Sequence, residues 1–383
     1  MITSFQAKNF KALRDVSLDL TPIHVLIGPN DSGKTSLFEA LTALHHTVQQ
    51  GMDQSFLGRW DAAQLVWGGN ADLPVSLAAR LKEANVDLEY SLSCRFEKTG
   101  RQVLIAREEA KRTGREGKQA NLQHRGPNLS AVAASWSNSN DVDNWITKPI
   151  HDALARLHLY RWVPSHLSMP VSYNFSPRFS MDTSGFGLPT LLSDIWGEDH
   201  ARFGQLEERF RKFFPEITSL KLRREQAYTS WRESQPSSPG WALYCELKEP
   251  GLVLPAWQAS DGLMLVLAYL AILYSPQPPR LLLIEEPENG IHPLRLAQVL
   301  DILKELVQEQ NKTQVILTTH SPYVVDRFRP EEITLCLKGQ DGAVTTRRLS
   351  ESKPVREQID IFQLGEIWTA EGDEALAEQA TSP

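Results

Sequence analysis

Residues 28–36 read Gly28-Pro29-Asn30-Asp31-Ser32-Gly33-Lys34-Thr35-Ser36, directly after the apolar run Ile23-His24-Val25-Leu26-Ile27. A glycine, four residues and then Gly-Lys-Thr is the spacing of a phosphate-binding loop, provided a strand enters it and a helix leaves it. Both conditions hold in the pattern, with a strand-like run up to Ile27 and helical periodicity from about Gly33 to His46. Gly28, Asn30, Ser32, Gly33 and Ser36 would surround nucleotide phosphates through loop N–H groups and a helix N-terminus. Lys34 would neutralise phosphate charge, and the Thr35 hydroxyl would reach Mg²⁺.

Working outward, Ile2 to Phe10 and the alternating Val16, Leu18 and Leu20 predict strands ahead of the loop, and residues 74 to 110 predict further antiparallel strands. Residues 1–110 therefore read as an N-terminal lobe. From 111 the composition turns polar and basic, then rich in Ser, Asn and Ala up to Asn144, which predicts a loop. Ile150 to Leu159 and Leu188 to Phe214 carry helical periodicity, so 111–216 is expected to be a basic loop plus an inserted, mostly helical lobe. Strand patterns return at 217–223 and 241–247. The order then becomes helix 261–274, strand 281–285, helix 293–310, strand 314–319 and a helix from about 322. Such alternation marks an α/β sheet, here in a C-terminal lobe at 217–350 followed by a C-terminal tail at 351–383.

With 41% hydrophobic and 23% charged residues, the 383-residue chain has the composition of a globular protein. A net charge of −7 argues against binding nucleic acid by bulk electrostatics and leaves only local basic patches. Cys94, Cys245 and Cys336 are far apart, which suggests neither a disulfide framework nor a zinc site, only small buried hydrophobes. The N-terminus lacks a signal-peptide core, and the apolar run Leu263 to Tyr274 is too short to span a bilayer, so a cytoplasmic protein without membrane contact is expected.

Three further stretches carry chemistry. Leu281-Leu282-Leu283-Ile284 runs straight into Glu285-Glu286-Pro287-Glu288. Buried parallel strands deliver side chains to a ligand at their C-terminal ends, so one carboxylate could hold Mg²⁺ and the next polarise an attacking water. Thr318-Thr319-His320-Ser321-Pro322 follows the apolar strand at 314–317, which places His320 where it could contact a γ-phosphate. Ser260-Asp261-Gly262 opens the apolar helix ahead of Leu281 and offers a hydroxyl and free N–H groups, although an ordinary helix cap has the same sequence.

Taken in chain order, the phosphate loop, Ser-Asp-Gly, the strand that ends in Glu-Glu-Pro-Glu and Thr-Thr-His-Ser-Pro resemble the ABC-type ATPases of the RecF, SMC and OLD group, in particular its small AAA-named members. The similarity covers about 1–110 and 217–350, including Asn9-Phe10-Lys11. It implies an α/β ABC-type ATPase head with a mixed sheet core, an antiparallel β subdomain and an inserted helical lobe. It also implies ATP and Mg²⁺ as cofactors, with Lys34 and Thr35 on phosphate and metal and Ser260 and Gly262 in the signature motif. Glu285 would stand at the Walker B acid, Glu286 at the catalytic glutamate and His320 at the switch histidine. In this group the signature of one subunit completes the ATP site of another, which implies a homo-oligomer that closes on ATP and opens on hydrolysis. Two departures from the group pattern stand out: Glu285 replaces the commoner Asp, and Ala-Ser-Asp-Gly replaces Leu-Ser-Gly-Gly. No Q-loop glutamine can be chosen among Gln54, Gln64 and Gln102.

Residues 97–126 hold eight basic side chains against four glutamates, which fits a solvated loop or a nucleic-acid contact. Asp141-Val142-Asp143 lacks the surroundings of a nuclease acid pair, and the 33 residues after position 350 are too few for the nuclease domain that many OLD proteins carry. The expected function is an ATPase switch that acts on DNA or controls a separate effector such as a nuclease or toxin, in defence or repair. The alternative is a weakly hydrolysing ATP-binding scaffold or sensor that holds such an effector inactive.

Overall fold

The computed structural model of the chain describes residues 1–50, 52–56, 62–83, 86–96, 103–113, 130–136, 144–176, 178–249, 251–310 and 313–377. In chain order, β1 (Ile2–Phe10), β2 (Leu13–Asp19) and β3 (Ile23–Ile27) precede α1 (Lys34–Gln50) and α2 (Met52–Phe56). Two 3₁₀ turns, Ala62–Leu65 and Trp67–Gly69, lead to β4 (Val75–Glu83), β5 (Val86–Phe96) and β6 (Val103–Thr113). Then come α3 (Ala131–Trp136), α4 (Asn144–Leu154), β7 (Leu157–Tyr160), α5 (Pro164–Leu167), β8 (Val171–Ser172), α6 (Leu188–Glu198) and α7 (His200–Phe213). The hairpin β9 (Ile217–Ala227) and β10 (Ser238–Leu247) is followed by β11 (Val253–Pro255), α8 (Asp261–Leu273), β12 (Leu281–Glu285), α9 (Pro293–Gln310) and β13 (Gln314–Thr318). The chain continues through α10 (Pro322–Val325), β14 (Ile333–Lys338), β15 (Val344–Arg348), α11 (Lys353–Gln358) and α12 (Leu364–Leu376).

Three sheets organise these strands. One is antiparallel, in the order β2-β1-β4-β5-β6. A second is six-stranded and mixed, in the order β15-β14-β3-β13-β12-β7. The third holds β11-β10-β8, with β9 also on β10. The chain divides into two compact units, one of residues 1–157, 280–283 and 312–383 and the other of 158–279 and 284–311.

Within the mixed sheet, β3 lies between β13 and β14, parallel to both. All five of its residues are buried, which is why its sequence is apolar without alternation. His24 is the exception in type, and its ring sits between the hydroxyls of Thr21 and Thr334. Burial first, and the charge of Arg348 second, lower its pKa to about 3, so it is neutral inside the sheet. The antiparallel sheet alternates instead: β4 buries Val75, Leu77, Ala79 and Leu81 on one face. In the second unit α8 is buried at every position from Leu263 to Leu273, which suits a helix apolar all round.

Several local expectations change. The helical reading of 150–159 holds only to Leu154, because Leu157–Tyr160 leaves the helix and becomes an edge strand of the mixed sheet. The stretch expected to be a loop from 111 is strand β6 as far as Thr113, paired with β5. Leu188 to Phe214 is two helices, broken where Asp199 turns to extended backbone and caps α7 by accepting from the N–H groups of Ala201 and Arg202. The stretch after 350 contains α11 and α12. Cys94, Cys245 and Cys336 are free and buried, as expected of small hydrophobes. Among the described residues no helix is long and apolar enough to cross a membrane.

Candidate functional site

The loop from Gly28 to Gly33 leaves the end of β3 and enters α1, and its glycines are dictated by space. Gly28 has φ +131°, and a Cβ there would lie 2.1 Å from the Cys336 carbonyl oxygen of β14. Gly33 has φ +88°, and its Cβ would lie 2.4 Å from a methyl of Val344 in β15. The hairpin β14–β15 therefore moulds the loop from below. Asp31 also takes a left-handed conformation, at φ +65°, which Asp tolerates better than most residues. The Lys34 ammonium arches over the loop and donates to Gly28 O and Pro29 O (both 2.8 Å) and Ser32 Oγ (3.3 Å). Lys34 and Ser32 are buried, whereas Asn30 and Thr35 are exposed and Ser36 is half-buried in the first turn of α1.

His320 belongs to the same unit. The register Thr318↔Leu26 sets the ends of β13 and β3 side by side, and Thr319 N–H donates to Leu26 O (3.1 Å). Thr319 Oγ1 accepts from Ser321 N–H (3.0 Å), a local turn that leaves His320 exposed. The phosphate loop and the candidate histidine thus leave neighbouring parallel strands at the same end, where α/β sheets bind ligands.

The second unit holds the other candidates. Ser260 is the N-cap of α8, with its Oγ accepting from Leu263 N–H (3.4 Å). Gly262 faces the turn after β12, since a Cβ there would lie 4.0 Å from Gly290 O. In that turn Glu286 adopts φ +48°, uncommon for a residue with a side chain. Asn289 fixes it twice, its N–H donating to Glu286 O (3.0 Å) and its side-chain amide to Glu286 Oε2 (2.6 Å). The left-handed backbone and the Asn289 amide together fix where this carboxylate stands.

Sequence reasoning missed Arg161. It follows β7, and its guanidinium grips Glu285 through both Nε and Nη2. The Glu285 side chain is only 9% exposed, so the guanidinium stands in for much of the water that its charge would otherwise hold. The signal was available as Leu157-His158-Leu159-Tyr160-Arg161, but helical periodicity masked it. Of the three glutamines considered, Gln54 lies in α2, Gln64 is exposed in a 3₁₀ turn, and Gln102 lies outside the described residues.

The basic stretch is described in part. Arg107 pairs with Glu109 (2.6 Å), and Arg112 donates to Trp145 O (2.5 Å) with its guanidinium over the Trp145 ring. Lys98, Arg101, Arg115, Lys118, Arg125 and the pair Asp141 and Asp143 lie outside the described residues.

The chain is 21% identical over 387 residues to the OLD nuclease of Thermus scotoductus, covering 98% of this chain and 70% of that protein. Among solved structures it is similar to an Smc head bound to the C-winged helix domain of ScpA. The TM-score is 0.51 at 15% identity, over 90% of this chain and 97% of the other. This similarity shows the fold, the mixed α/β architecture of an Smc head. Residues 23–326 match one family over most of the chain, and the chain belongs to it: "AAA domain, putative AbiEii toxin, Type IV TA system".

Proposed function

We propose that the chain is an ATP-dependent switch that binds ATP with Mg²⁺, associates with a second copy through the nucleotide, and separates after hydrolysis. One observation carries this reading: a phosphate loop moulded by β14–β15, with Lys34 over it and His320 at the end of the adjoining strand. The donor set suits Mg²⁺, because the exposed Thr35 hydroxyl and the Glu285 carboxylate are hard oxygen ligands. Among the described residues no group of three or more His, Cys, Asp or Glu forms a metal cage, so the ion would arrive with the nucleotide's own phosphates. Bound Mg²⁺ would neutralise charge on the transferring phosphoryl group. Lys34 would exchange its bonds to the loop for bonds to phosphate. Glu286, aimed by Asn289, would orient and deprotonate the attacking water, and His320 would contact the terminal phosphate. Ser260 and Gly262 would present their helix N-terminus to the nucleotide of a second copy.

In this reading residues 1–110 and 217–350 form the head, 111–216 an insertion and 351–383 a C-terminal addition, in a cytoplasmic protein. The output is a separate effector such as a nuclease or toxin, or DNA itself. The relatives support either, one being a nuclease and the other a head bound to a partner's domain. The test is steady-state ATP hydrolysis by wild type, Lys34→Ala and Glu286→Gln. Wild type is expected to turn over, Lys34→Ala to lose binding and turnover, and Glu286→Gln to bind ATP while turnover falls at least about a hundredfold. Wild-type turnover no higher than that of Lys34→Ala would leave a scaffold that binds ATP without using it.

A further inference from the structure

Beside the phosphate loop lies a patch that phosphate binding leaves unused. The turn between β14 and β15 closes through Gly342 N–H to Gly339 O (2.9 Å), with Gly342 at φ +83°. A Cβ built on Gly342 would lie 3.9 Å from Cη2 of Trp67 and 4.0 Å from Cε of Lys338. Lys338 Nζ in turn meets Asp31 Oδ2 of the phosphate loop at 2.5 Å. The indole and the Lys338 side chain therefore border the same Gly342 turn, and Lys338 reaches from it to the loop. Trp67 is half-buried on backbone fixed from the other side. Val66 bridges Phe10, and Lys11 N–H donates to Leu65 O (2.8 Å). Lys11 is itself tied to Glu39 of α1 at 2.5 Å, so the segment that carries the indole and the helix that leaves the phosphate loop share one support.

We propose that Trp67 is the platform on which the base of the bound nucleotide stacks, with the triphosphate held by the loop. The inference rests on the ATP reading above and adds to it the part of the site that recognises the base. A half-buried indole with a fixed backbone offers a flat π surface at little conformational cost, and any base has a face to lay on it. The ion pair with Asp31 anchors the Lys338 ammonium at the loop side of the patch, which leaves the indole as the apolar surface. Gly342 matters because its φ of +83° suits glycine and shapes the turn that the ring borders.

The experiment is calorimetric titration of the full chain with ATP and, separately, with inorganic tripolyphosphate, both with Mg²⁺. Wild type, Trp67→Ala, Trp67→Phe and Lys34→Ala are compared. Trp67→Ala is expected to weaken ATP about tenfold and leave tripolyphosphate unchanged, whereas Trp67→Phe keeps most of the affinity. Lys34→Ala should weaken both ligands. Wild-type affinity for ATP in Trp67→Ala, or an equal loss for both ligands, would overturn the assignment and leave the ATP reading intact. Wild-type protein that binds neither ligand would overturn the ATP reading and this inference with it.

Discussion

Arg161 and Glu285 set a competition at the level of single side chains. A carboxylate 9% exposed holds a guanidinium that is itself 61% exposed, so water screens the arginine side of the pair and its contribution to stability is small. Its effect on a second cation is larger, because a positive group on a carboxylate opposes the binding of another. Arg161→Gln is expected to lower the Mg²⁺ concentration for half-maximal ATP hydrolysis about threefold, read from Mg²⁺ titrations at saturating ATP. A midpoint that moves upward would mean that Arg161 aims Glu285 at the metal and does not compete with it. The residues legible from sequence differ from Arg161 in one respect. Gly28, Gly33 and Lys34 act within a nine-residue window, where spacing alone implies positive φ and a phosphate cradle. Arg161 is defined by a partner 124 residues away.

At the level of elements, α12 begins against the segment that carries His320. Gly365 N–H donates to Asp326 Oδ1 (2.6 Å), and a Cβ at Gly365 would lie 2.5 Å from Pro322 O in α10 and 2.8 Å from that carboxylate oxygen. A side chain at Gly365 must push α10, which starts two residues after His320. Gly365→Val is expected to cost about 1–3 kcal/mol of stability, as overpacking does, and to lower turnover more than ATP affinity. Thermal melting, ATP titration and steady-state turnover together check it. Unchanged melting and turnover would show that α12 yields and that the contact is passive. The element pattern was legible where periodicity runs long, as in α8, α9 and the first strands. It was not legible at β7, where four residues become a strand only because a sheet edge is there to pair with, nor at α12, whose docking depends on Asp326 across 39 residues.

At the scale of the whole molecule, the candidate residues fall into two sets, with the phosphate loop and His320 in one compact unit and Ser260, Gly262 and Glu286 in the other. If ATP joins two copies so that one chain's loop meets the other's α8 N-terminus, each site needs an intact loop from one partner and an intact signature helix from the other. Lys34→Ala and Ser260→Arg should then each be inactive alone yet complement when mixed. A mixed pair combines the intact loop of the Ser260→Arg chain with the intact signature of the Lys34→Ala chain. Random exchange makes about half of the pairs mixed, and each mixed pair keeps one of its two sites, so about one quarter of wild-type turnover should return on equimolar mixing. The Ser260 change removes a helix cap and should cost about 1 kcal/mol, so melting of each variant alone shows that both stay folded. Recovery that scales with protein concentration would place the active site between copies. Turnover that stays at the sum of the two variants would mean that each chain's loop works with its own signature helix.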